Sequence, residues 1–201
     1  MNRLKGQLCY LAGFIDADPV SARGWREEIT TFLNGIEVGV LNPCDKAISN
    51  ISVREDEEFV SYINKLKEDG EYEEVTRQMK EIVRVDLKMC DICNFCILNI
   101  NRNMHMCGSY FEYATLCQQR KPVLVYCEQG IQFVPNFIWG IGDWRNFHAN
   151  WNNLKRHITD IAYSPNADDL DGKWRFFDYD KIFGKQNEQD YYNSSSFNPF
   201  L

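Results

Sequence analysis

Short apolar segments alternate with amphipathic segments along most of the chain. The apolar runs cover residues 8–12, 38–41, 95–98 and 122–126, and we interpret these short runs as buried strands. Helical spacing of apolar residues marks the segments 25–33, 59–66, 72–89, 109–119 and 150–161. Residues 133–141 fit either a fifth short strand or a helix. The alternation predicts an α/β fold with a parallel five-stranded sheet flanked by helices.

Size and charge narrow the classes of function. A chain of 201 residues is long enough for one well-packed domain. Its 29 acidic residues outnumber its 22 Lys and Arg residues, and the net charge of −7 disfavours binding to polymeric nucleic acid or anionic membranes. No apolar run approaches the ~20 residues that a membrane-spanning helix needs. We therefore expect a small-molecule partner, and neither polymeric nucleic acid nor a membrane.

The composition changes near residue 164. Residues 164–201 are polar and rich in Asn and Asp, but they keep several aromatic side chains, among them Trp174 and Tyr179. We expect a body of residues 1–163 and a polar C-terminal extension of residues 164–201. The aromatic side chains of the extension would pack on the body or on a neighbouring subunit.

Several of the eight cysteines fall inside predicted strands and helices, between Ile, Leu, Val and Phe. This placement is typical of packed, reduced thiols and predicts a cytoplasmic protein. Cys90, Cys93 and Cys96 have the spacing of part of an iron–sulfur motif, but Cys96 lies within a predicted strand, so we favour packed thiols. Gly-rich dinucleotide and P-loop motifs are absent from the sequence. We expect neither a metal nor a cofactor.

The candidate catalytic residues lie at one predicted edge of the sheet. Ligands of parallel sheets bind beyond the carboxyl ends of the strands, here at the loops 13–24, 42–56 and 99–108. The last loop contains His105, which could reach a ligand, and leads into Gly108-Ser109-Tyr110-Phe111-Glu112. Ser109 and Glu112 have the spacing of a helix capping box. Glu112 is then either a cap alone, or a carboxylate in the first helical turn that can attack a sugar carbon.

Asp86 and Asp91 lie near the end of the long predicted helix that leads into the third strand. Each is open to two interpretations. They belong to a solvated helix face, or they supply a second carboxyl group beside Glu112. Cleavage of a glycosidic bond with retention needs two carboxyl groups about 5 Å apart.

A series of short motifs resembles the nucleoside 2-deoxyribosyltransferase family. Over residues 8–145 the matching pieces follow the family's order: YLAG at 10–13, WR at 25–26, LNP at 41–43, VDL at 85–87 with Asp91, GSYFE at 108–112 and KPV at 121–123. The resemblance implies a flavodoxin/Rossmann-like fold. It also implies a pentosyltransferase of nucleotide salvage that exchanges the base of a 2′-deoxynucleoside and needs no cofactor.

The resemblance also implies roles for individual residues. Glu112 matches the nucleophile that forms a deoxyribosyl intermediate, Asp86 the acid that protonates the leaving base, and Tyr10 a contact of the nucleophile. Phe14 or Trp25 would stack on the base, and Asn136 matches an Asn that a neighbouring subunit lends to the sugar site. A homo-oligomer, a dimer or larger, with a shared active site would follow. The remaining expected substrate contacts are Gly13, Asp16, Asp91, Asn99, Gly108 and Ser109.

The sequence departs from the family's pattern at two positions. Met106 stands where some members carry an Asp that holds the sugar hydroxyls, so hydroxyl recognition would fall to Asn99, Asn101 or Ser109. Phe14 replaces the family's Pro after Gly13. These differences concern the substrate more than the fold.

Two alternatives to the transferase stay open. The first is an N-glycoside hydrolase that acts on a nucleoside or on a 5′-nucleotide, with Ser21 and Arg23 as a phosphate cradle. The second is a non-catalytic nucleotide-binding module, because a fold does not fix a function.

Overall fold

A central parallel sheet organises the computed structural model, which describes residues 2–15, 19–46, 56–164 and 172–183. The five strands are β1 (Leu8–Gly13), β2 (Gly39–Leu41), β3 (Phe95–Ile100), β4 (Val123–Cys127) and β5 (Phe147–His148). Their order across the sheet is β2-β1-β3-β4-β5, and every neighbouring pair is parallel. The predicted α/β fold, with five parallel strands flanked by helices in a Rossmann-like arrangement, is confirmed.

The helices connect the strands and cover both faces of the sheet. They are α1 (Pro19–Gly35), α2 (Glu57–Glu68), α3 (Tyr72–Ile92), α4 (Cys107–Gln118), α5 (Asn136–Ile141), α6 (Trp151–Tyr163) and α7 (Tyr179–Phe183). Short 3₁₀ turns lie at Ile131–Phe133 and Trp144–Asn146. Within the described ranges, none of these helices combines the length and the apolar character needed to cross a bilayer.

Successive residues of a strand belong to two separate hydrophobic cores, one on each face of the sheet, because side chains alternate between the faces. One core joins Tyr10 and Leu98 to buried residues of α3, α4 and α5. The other joins Leu11 and Ile97 to buried residues of α1 and α6. Strands β1, β3 and β4 are buried on both faces, which explains why they appear in the sequence as continuous apolar runs.

Several predicted boundaries are corrected by the structure. The loop predicted through residue 24 ends earlier, since α1 begins at Pro19. Proline suits the first helical position because its fixed φ matches the helix and its missing N–H has no partner there in any case. Residues 133–141 contribute α5, and the fifth strand follows later at Phe147–His148. The long helix α3 continues to Ile92, so it includes Asp91.

Part of the C-terminal extension packs on the body. Trp174 is only 3% exposed, and its ring centroid lies 5.2 Å from that of Phe95 in β3. The amide of the buried Gln7 donates to the Arg175 carbonyl at 3.0 Å. Residues 165–171 and 184–201 lie outside the described part of the chain. The division into a body and an extension stays a prediction.

The connection between β2 and β3 sets the position of the functional edge. The chain leaves β1 for β2 on one side, and then crosses through α2 and α3 to β3 on the other side of β1. The direction of winding therefore reverses between β1 and β3, whose last paired residues are Gly13 and Asn99. Such a reversal leaves a crevice beyond the carboxyl ends of the two strands, where ligands bind in open α/β sheets.

A buried arginine holds the end of β1 in place. Arg26 of α1 is completely buried, and its guanidinium donates to four backbone carbonyls. The acceptors are Leu11 at 3.3 Å, Phe14 at 3.2 Å, Ala22 at 2.8 Å and Gly13 at 3.0 Å. One planar group with five N–H donors thus satisfies carbonyls of the strand end, the following loop and α1.

The substitution Arg26→Lys tests whether the several N–H donors of the guanidinium are needed at this position. An ammonium cannot reach four divergent carbonyls, so several buried acceptors would lose their partners. We expect the free energy of unfolding to fall by about 3 kcal/mol. Urea unfolding measures it, with Arg84→Lys as the matched control, because the Arg84 side chain is 76% exposed on α3. Equal losses in the two variants would contradict the assigned role.

We expect the free energy of unfolding to depend on pH through two histidines. His148 of β5 and His157 of α6 lie in contact, with Nε2 and Nδ1 3.0 Å apart. Burial, together with the neighbouring His157, lowers the pKa of His148 to about 4, from 6.5 in an unfolded chain. Between these values the unfolded chain binds more protons, so stability is full above pH 6.5 and falls toward pH 4. We expect a loss on the order of 1–2 kcal/mol, after a discount for partial exposure. His148→Gln should flatten this part of a pH series of urea midpoints.

Candidate active site

A cavity of about 630 Å³ opens at the crevice beyond β1 and β3. It is lined by the end of β1 and its loop, by one face of α3, and by the start of α4 with the loop before it. Six of the residues predicted from the sequence line it: Gly13, Phe14, Asp86, Gly108, Ser109 and Glu112. His105 lines it as well. The volume is in the ordinary range for a small-molecule site.

The buried Tyr10 forms a hydrogen bond with one carboxylate of the cavity, that of Glu112. The hydroxyl of Tyr10 donates to Glu112 Oε1 at 2.8 Å. Burial, and then the negative charges of Glu112 and Asp86, raise the pKa of Tyr10 well above its usual range. The hydroxyl therefore keeps its proton at neutral pH and acts as a permanent donor. The contact fixes the direction of the Glu112 carboxylate.

The carboxylates of Glu112 and Asp86 raise the pKa values of the same two buried neighbours, Tyr10 and Cys90. Burial is the main cause that raises the pKa of the Cys90 thiol, and the charges of Glu112 and Asp86 raise it further. Both carboxylates thus lie close to Tyr10 and Cys90. The structure brings together Glu112 of α4 and Asp86 of α3, which are 26 positions apart in the sequence.

Asp86 also contacts a lysine that the sequence analysis missed. Lys46 Nζ lies 2.5 Å from Asp86 Oδ1, and the two side chains are only 4% and 14% exposed. Lys46 follows β2 in the chain, so it comes from the strand next to β1. An ammonium in contact with a carboxylate favours the charged form of both groups.

The predicted capping box is wrong. Helix α4 begins at Cys107, and its N-cap residue Met106 makes no side-chain cap bond. The Tyr110 N–H already donates to the Met106 carbonyl at 3.0 Å, so Ser109 is the third helical residue and is buried. Glu112 is the sixth residue of α4 and lies in its second turn. Its carboxylate is held by Tyr10 and does not cap the helix.

The two candidate aspartates of α3 differ in position. Asp86 lines the cavity, whereas Asp91 is exposed and accepts a hydrogen bond from Gln119 at 2.9 Å. Five residues along an α-helix correspond to a rotation of about 140° beyond a full turn. Asp91 therefore cannot share a narrow face with Asp86, and the structure does not bring it to the cavity.

Of the two aromatic residues expected to stack on a base, the structure brings only Phe14 to the cavity lining. The ring of Trp25 stacks on Trp151 of α6, with centroids 5.7 Å apart, and Trp151 stacks in turn on Tyr126. This stack belongs to the core between the sheet and α6. Trp25 contributes to packing there.

Three further predicted contacts, Asn99, Asn101 and Asn136, are not part of the cavity lining. Asn99 is buried at the end of β3 beside Gly13, on the side of the sheet that faces Trp25. Asn101 accepts from the Gln129 amide at 3.2 Å. Asn136 is exposed at the start of α5. Asp16 lies outside the described residues.

Helix α3 supplies a cavity wall from the apolar residues whose spacing predicted this helix. The wall is formed by Met79, Ile82, Val83 and Leu87, which recur at helical spacing. A cavity wall and a packed face have the same periodicity, so the pattern alone could not separate them. Phe111 and Met106 add further apolar lining.

Ligands for a metal are not grouped in the parts of the chain that the structure describes. No set of three or more His, Cys, Asp or Glu side chains there is arranged to hold a metal ion. Cys90, Cys93 and Cys96 are buried thiols.

Comparisons with known proteins find matches among solved structures. No protein-family model matches the chain, and no curated protein matches it. Among solved structures, a 2-desoxiribosyltransferase from Leishmania mexicana matches with a TM-score of 0.40 and 16% sequence identity. The match covers 61% of this chain and 65% of that chain, so less than two thirds of the other protein's length is represented. A likeness of this size establishes no activity for the present chain.

The cavity predicts a pattern of thiol reactivity. Cys107 is exposed and lines the cavity, Cys117 is half-buried, and the other six cysteines are buried. We expect a thiol reagent such as DTNB to modify one cysteine rapidly in the folded protein, because reaction requires exposure. Cys107→Ser should remove this fast phase, whereas Cys117→Ser should leave it unchanged. A fast phase that survives Cys107→Ser would contradict the placement of Cys107.

Proposed function

We propose that the chain is a nucleoside 2-deoxyribosyltransferase that exchanges the base of a 2′-deoxynucleoside through a covalent intermediate on Glu112. The observation that carries the proposal is the arrangement of Glu112, held by the Tyr10 hydroxyl at 2.8 Å, in the same cavity as Asp86. The motif resemblance around these three residues gives independent support. No metal ligand set or cofactor motif is needed for this chemistry.

Glu112 is suited to attack the anomeric carbon. Its carboxylate is directed by Tyr10, and it lines the cavity at the crevice between β1 and β3. A sugar without a 2′-hydroxyl reaches an oxocarbenium-like transition state more readily, because the electron-withdrawing group is missing. A carboxylate on one face stabilises this positive charge and then forms the glycosyl bond. Asp86 would exchange a proton with the base.

The shape and polarity of the cavity suit a nucleoside. The wall formed by Met79, Ile82, Val83 and Leu87 is apolar, and it faces the start of α4 with its carboxylate and Ser109. A flat base would lie against the apolar wall and Phe14, while the sugar would lie near Glu112. Met106 is buried and lines the cavity where an acidic contact for sugar hydroxyls would otherwise stand. Ser109 is the lining residue best placed to replace it.

A hydrolase would use the same two carboxylates, with water in place of the incoming base. The variant of this alternative that requires a 5′-phosphate is less well supported. Arg23, one half of the expected phosphate cradle, lines a separate depression with Asp56, Glu57 and Glu58. Three carboxylates beside the guanidinium disfavour a phosphate at that position.

A shared active site remains part of the proposal. Asn136 is exposed at the start of α5, beside the exposed Phe137 and Trp139. Large apolar side chains at the surface are typical of interfaces between subunits. In an oligomer, this surface would bring Asn136 to the sugar site of a neighbouring copy.

A base-exchange assay tests the proposed function. The protein is incubated with a panel of 2′-deoxynucleosides and a different free base, and products are separated by chromatography. We expect a new deoxynucleoside from the wild-type protein, and a loss of more than about 10³-fold in Glu112→Ala, because the nucleophile is removed. Mass spectrometry of the wild-type protein with a deoxynucleoside alone should show one deoxyribosyl group on Glu112.

The matched control for this experiment is Asp91→Asn. It removes a carboxylate from α3 outside the cavity, and it should keep activity within about threefold. Free base and free sugar without exchange would indicate the hydrolase. Binding of deoxynucleosides without turnover, unaffected by Glu112→Ala, would indicate the non-catalytic module and contradict the proposal.

A further inference from the structure

The ion pair between Lys46 and Asp86 is unusual in its burial. Lys46 Nζ lies 2.5 Å from Asp86 Oδ1, and only 4% of the lysine side chain is exposed. Most lysines lie at the surface, since burial of an ammonium costs free energy unless a partner compensates it. The loop after β2 thus places a cation next to Asp86, which lines the cavity.

This pair changes what Asp86 can do by itself. A carboxylate that contacts an ammonium is held as an anion, and an anion has no proton to give. The departing base nevertheless needs a proton on its nitrogen. In the described part of the chain, the titratable and charged groups near Asp86 include Lys46, Tyr10, Cys90 and Glu112, and His105 lines the same cavity. Glu112 is the nucleophile, and the pKa values of Tyr10 and Cys90 are raised. The Lys46 ammonium carries protons and is in direct contact with Asp86 Oδ1, at 2.5 Å.

We propose that Lys46 acts through Asp86 and stores the proton that Asp86 passes to the departing base. The proposal rests on the proposed function, and it adds a proton source to that function. Lys46 is not part of the cavity lining, whereas Asp86 is, so the lysine acts through the aspartate.

The proton balance of the step is complete. The bond between C1′ and the base nitrogen breaks, and its electron pair goes to the nitrogen, while a Glu112 oxygen bonds to C1′. One proton moves from the Lys46 ammonium to Asp86, and from Asp86 to the base nitrogen. Lys46 is left as a neutral amine beside a carboxylate. When the incoming base bonds to C1′ and the Glu112 bond breaks, the proton of its N–H returns to Lys46 by the same route.

Arginine separates this role from a purely electrostatic one. Lys46→Arg keeps a positive charge next to Asp86, but a guanidinium holds its proton at every accessible pH. If Lys46 only neutralises or orients Asp86, the arginine variant retains its activity. If Lys46 supplies the proton, the arginine variant loses turnover even though the charge is present.

The leaving group gives a second, chemical readout. The purine of 7-methyl-2′-deoxyguanosine is already cationic and departs as a neutral base without protonation. A variant that lacks only the proton source should therefore still cleave this nucleoside. A variant with a misplaced Asp86 or a distorted cavity should lose activity on both kinds of substrate.

The experiment compares wild type, Lys46→Arg and Lys88→Arg with the best ordinary 2′-deoxynucleoside and with 7-methyl-2′-deoxyguanosine. Lys88 is an exposed residue of α3 and serves as the matched control. We expect Lys46→Arg to lower kcat on the ordinary substrate by about 10²-fold or more, and to stay within about threefold on the methylated one. The alkaline decline of kcat in the wild type should be absent in Lys46→Arg, because the arginine does not titrate. Thermal unfolding confirms that the variant is folded.

Three results would overturn the inference. Lys46→Arg is as active as the wild type on the ordinary substrate, or it loses activity equally on both substrates, or it keeps the alkaline decline of the wild type. Each of these leaves the proposed function intact, provided that the wild type exchanges bases and Glu112→Ala does not. A wild-type protein that turns over neither nucleoside would overturn the proposed function and this inference together.

Discussion

The hydrogen bonds from the Arg26 guanidinium to the end of β1 are the constraint on which the site depends. Parallel strands leave carbonyls unsatisfied where the sheet ends, and buried carbonyls require donors. Arg26 supplies them at Leu11, Gly13 and Phe14, and it is tied to α1 through Ala22. The backbone that lines one side of the cavity is thereby fixed to a rigid helix. A side chain on that helix, and not the loop itself, sets where the cavity begins.

The same guanidinium accounts for the position of Trp25. Its carbon lies 4.5 Å from the centroid of the Trp25 ring, and this ring continues into a stack with Trp151. A buried cation gains attraction from an aromatic face, and the stack gains further from its ring contacts. Trp25 is therefore committed to the packing that secures the edge of β1. Phe14, in contrast, lines the cavity.

The apolar runs predicted a parallel sheet, because a buried strand has a local sequence pattern. The family resemblance implied that Tyr10 contacts Glu112 and that Asp86 lies in the same site. Three features could not be predicted from the sequence, for physical reasons. Asp86 and Asp91 lie on different sides of α3, and the packing of the neighbouring elements determines which side faces the cavity. Ser109 has the spacing of a cap, but α4 begins two residues before it. Lys46 meets Asp86 across 40 residues, and a lone lysine in a polar loop carries no signal of that contact.

The exposed apolar wall of the cavity indicates the kind of ligand that the cavity could bind. Val83 is 47% exposed and Phe111 is 60% exposed, although both line a concave surface. Burial of apolar surface stabilises a protein by about 25 cal/mol per Å², and this stabilisation is missing where the surface contacts water. A ligand with a flat apolar face would recover this free energy, while its polar part lay against Glu112 and Asp86. Under the proposed function, the apolar wall would contact the base of a nucleoside, and the carboxylate edge would contact its anomeric centre.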